Sequence, residues 1–179
     1  MPAERSVPLC PTAIIISKPK RIQWCLEEAW DIASYLGAEV HSTPYDGVFY
    51  LAAGIGIRRE ELLNAIRTYK FSFASRLVIV NTCISLENKD SNAVITEFSE
   101  YIEKLSESIP TPVRLISSLR GKSKQFLNDS LINNILLKNN IKIHRKSGYA
   151  IDIEGLDDFI SISWGKIMSC GYRCILIGI

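Results

Sequence analysis

Eight basic residues crowd into one stretch of the chain: Arg114, Arg120, Lys122, Lys124, Lys138, Lys142, Arg145 and Lys146, with Asp129 the single acid among them. The window Val113–Lys146 therefore carries +7, although the whole chain carries only +2. The remaining sequence is acidic, so positive charge has been gathered into one place. Such concentration raises the local potential and attracts polyanions. Arg120, Lys122 and Lys124 surround Gly121, and Ser123 reads as the N-cap of the helix that follows. A loop of that kind runs into free backbone N–H groups and a partial positive charge. Arginine and lysine add forks and point charges for phosphate oxygens. Arg114 precedes this unit, and Arg145 and Lys146 follow it. Folding that brings loop, helix start and second loop together would make one phosphate-binding surface. Few aromatics are interleaved, which favours phosphate and shape reading over base stacking. The alternative is a solvated basic face.

Other chemistry is weaker in the sequence. Gly54–Ile55–Gly56 stands between a strand and a helix, but Arg59 occupies the place of a third glycine and no G-K-[ST] exists. It reads as a connecting turn. His41 and His144 lie near no nucleophile signature, and no paired-carboxylate motif occurs. Trp24 and Trp30 either stack on bases or cover the edge of a core; Trp164 reads as packed. The five cysteines, Cys10, Cys25, Cys83, Cys170 and Cys174, are odd in number and contain no C-x2-C pair. They read as reduced thiols, with no metal and no cofactor expected.

The elements that would position these residues follow from periodicity. Ala13–Ser17 is a β-branched strand. Arg21–Leu36 carries Ile22, Leu26, Ala29, Ala33 and Leu36 on one helical face, with Gly37 as its C-terminal stop. Ala38–Thr43 and Gly47–Ala52 flank a Pro44–Gly47 turn as a hairpin. A helix over Arg58–Lys70, a strand over Arg76–Thr82 and a helix over Ser91–Ser108 come next. Val113–Ser117 is a strand, and a helix is expected from Ser123 to Lys138. Tyr149–Glu154 and Phe159–Trp164 form a second hairpin around Gly155–Asp158. Cys174–Ile179 reads as a packed edge strand or a strand that docks on a partner.

Hydrophobic residues make up 47% and charged residues 22% of 179 residues, enough apolar side chain to build a core. No apolar run approaches the roughly 18 residues that span a membrane, and no signal peptide is visible, so the expectation is a cytoplasmic protein. The expected fold is α/β (α+β). A division near residue 88 gives an N-terminal α/β (ferredoxin-like) domain over residues 1–88 and a second domain over 89–179.

Three segments carry a family resemblance: RLVIVNTCISLEN, TPVRLISSLRGKSKQFLNDSLINNILL and YAIDIEGLDDFISISW. From about Arg76 onward the sequence resembles a THUMP domain. The whole chain resembles the stand-alone archaeal THUMP proteins related to the accessory factor for tRNA cytidine acetylation. Val113–Arg114 match the family's Val-Arg strand. Ser123–Lys124 stand where Ser-Arg is usual, and Ala150–Glu154 with Phe159–Ser163 match its hairpin. AIIISKPKRIQW resembles the family's first strand and polar loop. His144–Gly148 replaces the usual approach to the hairpin, and Lys124 replaces the usual arginine; both departures keep or add positive charge.

The resemblance implies residues 89–179 as the THUMP domain. It implies RNA contacts at Arg114, Arg120, Lys122, Ser123, Lys124, Arg145 and Lys146, and secondary contacts at Lys18, Lys20 and Arg21. The partner it implies is tRNA, at its acceptor stem and 3′ end. The role it implies is non-catalytic: an adaptor presenting tRNA to a separate modifying enzyme, an RNA cytidine acetyltransferase. About fifteen residues follow Trp164, which leaves an expected chain without room for a catalytic domain. Two readings compete: a small enzyme with an unrecognised site, and a protein-interaction module without RNA binding.

Overall fold

The elements run β1 (Ala13–Ser17), α1 (Ile22–Leu36), β2 (Glu39–Ser42), β3 (Val48–Ala52), α2 (Arg59–Thr68), β4 (Ala74–Ile79), β5 (Thr82–Ser85), α3 (Ser91–Ser106), β6 (Arg114–Leu119), a 3-10 turn (Gly121–Gln125), α4 (Asp129–Lys138), β7 (Tyr149–Gly155), β8 (Phe159–Lys166), β9 (Met168–Gly171) and β10 (Cys174–Ile177). The structure is a computed structural model describing residues 10–52 and 58–178; the Gly54–Ile55–Gly56 turn lies outside the described residues. The class is α/β, as the mixture of periodicities predicts. Two compact units result: Met1–Val80 with Met168–Ile177, and Asn81–Ile167 with Gly178–Ile179. The expected division at 88 assigns the C-terminal run to the second domain; its strands instead pair within the first unit.

The first unit is a six-stranded sheet in the order β2-β3-β1-β4-β10-β9, with α1 and α2 packed on it. β1 lies antiparallel between β3 and β4, so both its edges are paired, and Ala13, Ile14 and Ile15 are buried. α1 buries Cys25, Ala29, Ile32 and Ala33, one stripe at helical spacing. It ends where Gly37 turns left-handed at φ 66° and donates its N–H to Ala33 and Ser34. β10 is parallel to β4 and antiparallel to β9. The C-terminal run is thus an interior strand, not an edge, because β9, which its short polar sequence does not announce, covers its far side.

That hairpin also corrects the cysteine reading. Cys170 and Cys174 form a disulfide, with Cα atoms 5.1 Å apart across the β9–β10 turn. A C-x3-C pair on a tight hairpin brings two Cβ atoms face to face, which spacing rules for metal sites do not capture. Cys25 is a free buried thiol.

The second unit is a four-stranded sheet, β5-β8-β7-β6, with α3 and α4 on one face. Phe98, Ile102, Ile132 and Leu136 of the helices meet Ile151, Ile153, Ile160 and Ile162 of the sheet, all buried. The single strand expected over Arg76–Thr82 is two strands. Val80 donates to Thr12 while the next residue, Asn81, donates to Ile162, so the run is divided between the two sheets. The helix expected from Ser123 begins six residues later. Asn128 caps it, its Oδ1 accepting from Leu131 N at 2.8 Å. Among the described residues no helix is long and apolar enough to cross a membrane.

Candidate nucleic-acid interface

The basic stretch is laid out along β6, the edge strand of the second unit. Arg114 opens β6, and Arg120 follows its last residue. Six residues of extended parallel strand span roughly 20 Å, so the basic residues divide into two groups at opposite ends of one strand instead of forming one surface.

At the far end the chain is folded back on itself. Gly121 takes a left-handed φ of 55° and starts the 3-10 turn. Ser123 is fully buried, its hydroxyl accepting from Arg120 N and donating to Arg120 O. Gly155 of β7 makes room for it: a Cβ there would stand 2.3 Å from Ser123 Oγ and 2.8 Å from Leu119 Cδ2. Asp157 accepts from the backbone N–H of Lys122 at 2.9 Å. Arg120 pairs its guanidinium with the buried carboxylate of Glu154 and also donates to Ser118 O. Of the sequence-derived contacts here, Ser123 is a packing residue and Arg120 a partner for a buried acid. Lys122 and Lys124 remain exposed, with the Lys122 backbone held by Asp157 of the neighbouring turn.

The near end is different. Val113 bridges Ile143 in parallel; Val113 N donates to Lys142 O, and His144 N to Val113 O. This fixes Lys142 to Lys146 beside the start of β6. Ser147 closes the turn, its hydroxyl donating to Pro112 O and accepting from Tyr149 N. In the sheet register Arg114 faces Ala150, and Tyr149 faces Lys166. Arg114, Lys142, Arg145, Lys146 and Lys166 are all exposed at this end. The segments that build it, residues 111–114, 141–150 and 164–167, contain no Asp or Glu. Five cations on segments that carry no acid of their own make a field that favours dissolved phosphate or a polyanion. Lys142 belongs to the basic window but is not among the contacts that the resemblance implies, and Lys166 lies outside the window. The signal that would have found Lys166 is the hairpin register, which sets it opposite Tyr149.

In the first unit, Lys18 is half-buried and donates to Ser72 O at 2.5 Å and Tyr172 O at 2.6 Å. Lys20 and Arg21 are exposed, and Arg21 lies 4.8 Å from the Trp24 ring centre. Trp24 and Trp30 are 45% and 53% exposed, so neither is a core side chain. A groove of about 880 Å³ between α1 and α2 is lined by Asp31, Glu61, Ile32, Leu36 and Tyr69. Burial, then the nearby Glu28 and Asp31, push the Tyr69 hydroxyl up to about 12. Burial likewise pushes the Cys25 thiol to about 11, which keeps it protonated at neutral pH. An acid-lined groove and a protonated thiol suit neither phosphate binding nor nucleophilic attack.

No protein-family model matches the sequence, and the curated proteins contain no match to it. Solved structures similar in fold include PH1313 from Pyrococcus horikoshii, with 14% identity, 90% of this chain and 56% of that one covered, and a TM-score of 0.52. TrmN from Thermus thermophilus shares 14% identity over 85% of this chain and 44% of its own, with a TM-score of 0.50. A 4-thiouridine synthetase solved with RNA and ATP shares 13% identity over 89% of this chain and 42% of its own, with a TM-score of 0.53. The chain spans about half the length of these proteins. At such identities the likeness shows the fold alone.

Proposed function

We propose that this chain is an RNA-binding module that holds tRNA by its phosphates and presents it to a modifying enzyme carried on another chain. The observation that carries the reading is the near end of β6: Arg114, Lys142, Arg145, Lys146 and Lys166, exposed on segments that carry no acid of their own. Phosphate contacts dominate nucleic-acid affinity and fix register without reading sequence. The far-end lysines, Lys122 and Lys124, are a weaker second anchor roughly 20 Å along the strand. Two anchors so spaced suit a folded RNA better than a small anion. The fold neighbours add support, since one is a 4-thiouridine synthetase solved with RNA. The enzyme partner we favour is an RNA cytidine acetyltransferase, on the sequence resemblance.

The test is binding of tRNA, with and without an intact 3′ end, and of duplex DNA of equal charge. Preference for intact tRNA, together with stimulation of an acetyltransferase on that tRNA, supports the adaptor. Equal binding of DNA and tRNA would overturn the tRNA reading, and unchanged acetylation would overturn the choice of enzyme.

A further inference from the structure

One end of the first unit's sheet gathers aromatics and cations that the phosphate surface does not use. The loops after β1 and before β4 and β10 meet there, because β1 is antiparallel to β4 and β4 is parallel to β10. Glu28 of α1, itself buried, accepts from Ser72 N at 2.6 Å and Phe73 N at 2.9 Å. That bond holds Phe73 against Trp24, one helical turn before Glu28; the rings stack with centres 5.5 Å apart and 28° between planes. Arg21 covers Trp24. The Lys18 ammonium ties Ser72 to Tyr172 through their carbonyls, joining the two clusters. Tyr172 is 70% exposed, with Lys18 5.0 Å and Arg173 5.3 Å from its ring centre.

The polypeptide holds this cluster against local preference. Lys20 and Arg173 have φ of 59° and 48°, a region that glycine and asparagine enter far more readily than long side chains do. Gly171, just before Tyr172, cannot be replaced, since a Cβ would stand 2.0 Å from Phe71 O. The turn is closed by the Cys170–Cys174 disulfide. In the loops at this end, residues 18–21, 43–47, 72–73 and 171–173, Asp46 is the single acid.

We propose that this end of the first unit is a subsite for unpaired nucleotides, with Trp24, backed by Phe73, and Tyr172 stacking on bases and Lys20 and Arg173 holding the intervening phosphates. An exposed ring among cations matches a base with its phosphate, because every base presents a π-face and every linkage a negative charge. The guanidinium plane of Arg21 stacks on a base as it does on the indole, extending the platform outward. The subsite rests on the RNA-binding reading above but uses other residues and another property, the base instead of the phosphate.

Three probes separate the two: a short single-stranded RNA, an abasic strand of the same length, and a blunt RNA duplex. The parent should bind the base-bearing strand more tightly than the abasic one. Trp24→Ala with Tyr172→Ala should lose roughly fivefold or more for the single strand, with duplex affinity unchanged. Trp24→Phe with Tyr172→Phe keeps a stacking ring and should retain most of the affinity. Parent binding to the abasic strand as tight as to the base-bearing one would overturn the subsite, whether or not the alanine variant folds. So would an alanine variant that binds like the parent. Loss of duplex binding belongs to Arg145, Lys146 and Lys142; a variant lacking those three that still binds duplex overturns the phosphate surface and leaves the subsite to its own result.

Discussion

Both ends of β6 are basic in sequence, the far end through Arg120, Lys122 and Lys124 and the near end through Arg114, Lys142, Arg145, Lys146 and Lys166, and they are unlike in structure. At the far end, Arg120 is drawn in to Glu154, Ser123 is buried under Gly155, and the Lys122 backbone is tied to Asp157. At the near end, Arg114, Lys142, Arg145, Lys146 and Lys166 stand exposed on backbone that is fixed by its own hydrogen bonds. A cation spent on an internal acid has little field left for a ligand. Cationic density along a sequence therefore says where charge is, and the carboxylate partners decide how much of it is available.

The largest expected effect is on folding of the far end. Gly155→Ala puts a methyl group 2.3 Å from Ser123 Oγ and within 3 Å of Leu119, so the 3-10 turn must move. Overpacking of this kind costs about 1–3 kcal/mol or more, and the melting temperature read by circular dichroism should fall accordingly. A melting temperature equal to the parent's would mean that the far end is loosely held and that the comparison is misdrawn.

Arg120→Ala is expected next. Breaking an ion pair with a buried acid is destabilising by about 3 kcal/mol where the acid is left uncompensated, and less here to the extent that other groups serve Glu154. Stability should drop by about 2 kcal/mol, while tRNA affinity of the folded fraction changes little. A variant that is fully stable but has lost tRNA affinity would return Arg120 to the binding surface.

At the near end the order reverses. Lys142→Ala, Arg145→Ala and Lys146→Ala should each leave stability within about 0.5 kcal/mol of the parent. The triple variant should lose at least roughly tenfold in tRNA affinity at moderate salt. Lys166→Ala alone should show a smaller loss in the same direction, which checks the register argument that placed it there.

The smallest effect is expected from Cys25. Its thiol is buried and held near 11, so its thiolate is scarce at neutral pH. Labelling by a thiol reagent should be slow in the native protein and rapid once it is unfolded. Fast native labelling would show that the face of α1 under Trp24 opens readily.

Much of the fold is legible in the residues because its signals are local. The AIIIS run, the span of α1 with its Gly37 stop, and both hairpins fall within a residue or two of their expected places; the buried stripe of α1 is rotated from the expected one, with Cys25 and Ile32 inside, Ile22 exposed, and Leu26 and Leu36 only partly buried. Apart from the local Cys170–Cys174 disulfide, the misses share one physical cause, contacts between residues distant in sequence. Ser123 reads as an N-cap, but the space beside Gly155 takes the serine inward and Asn128 caps the helix instead. Arg120 and Glu154 are 34 residues apart, a spacing that no motif encodes. RLVIVNT reads as one strand, and pairing to Thr12 and Ile162 cuts it in two. Of the site, the presence of a basic surface is legible; its centre of weight is not.

The most direct test of the near-end phosphate surface is the salt dependence of tRNA binding for three proteins side by side: the parent, the Lys142/Arg145/Lys146 alanine variant, and a Lys122/Lys124 alanine variant. Each phosphate contact contributes roughly 0.9 to the slope of log affinity against log salt on a duplex. The near-end variant should lose roughly 2 to 3 from that slope and the far-end variant less than about 1. Equal slopes in the parent and the near-end variant, or a larger loss in the far-end variant, would contradict it.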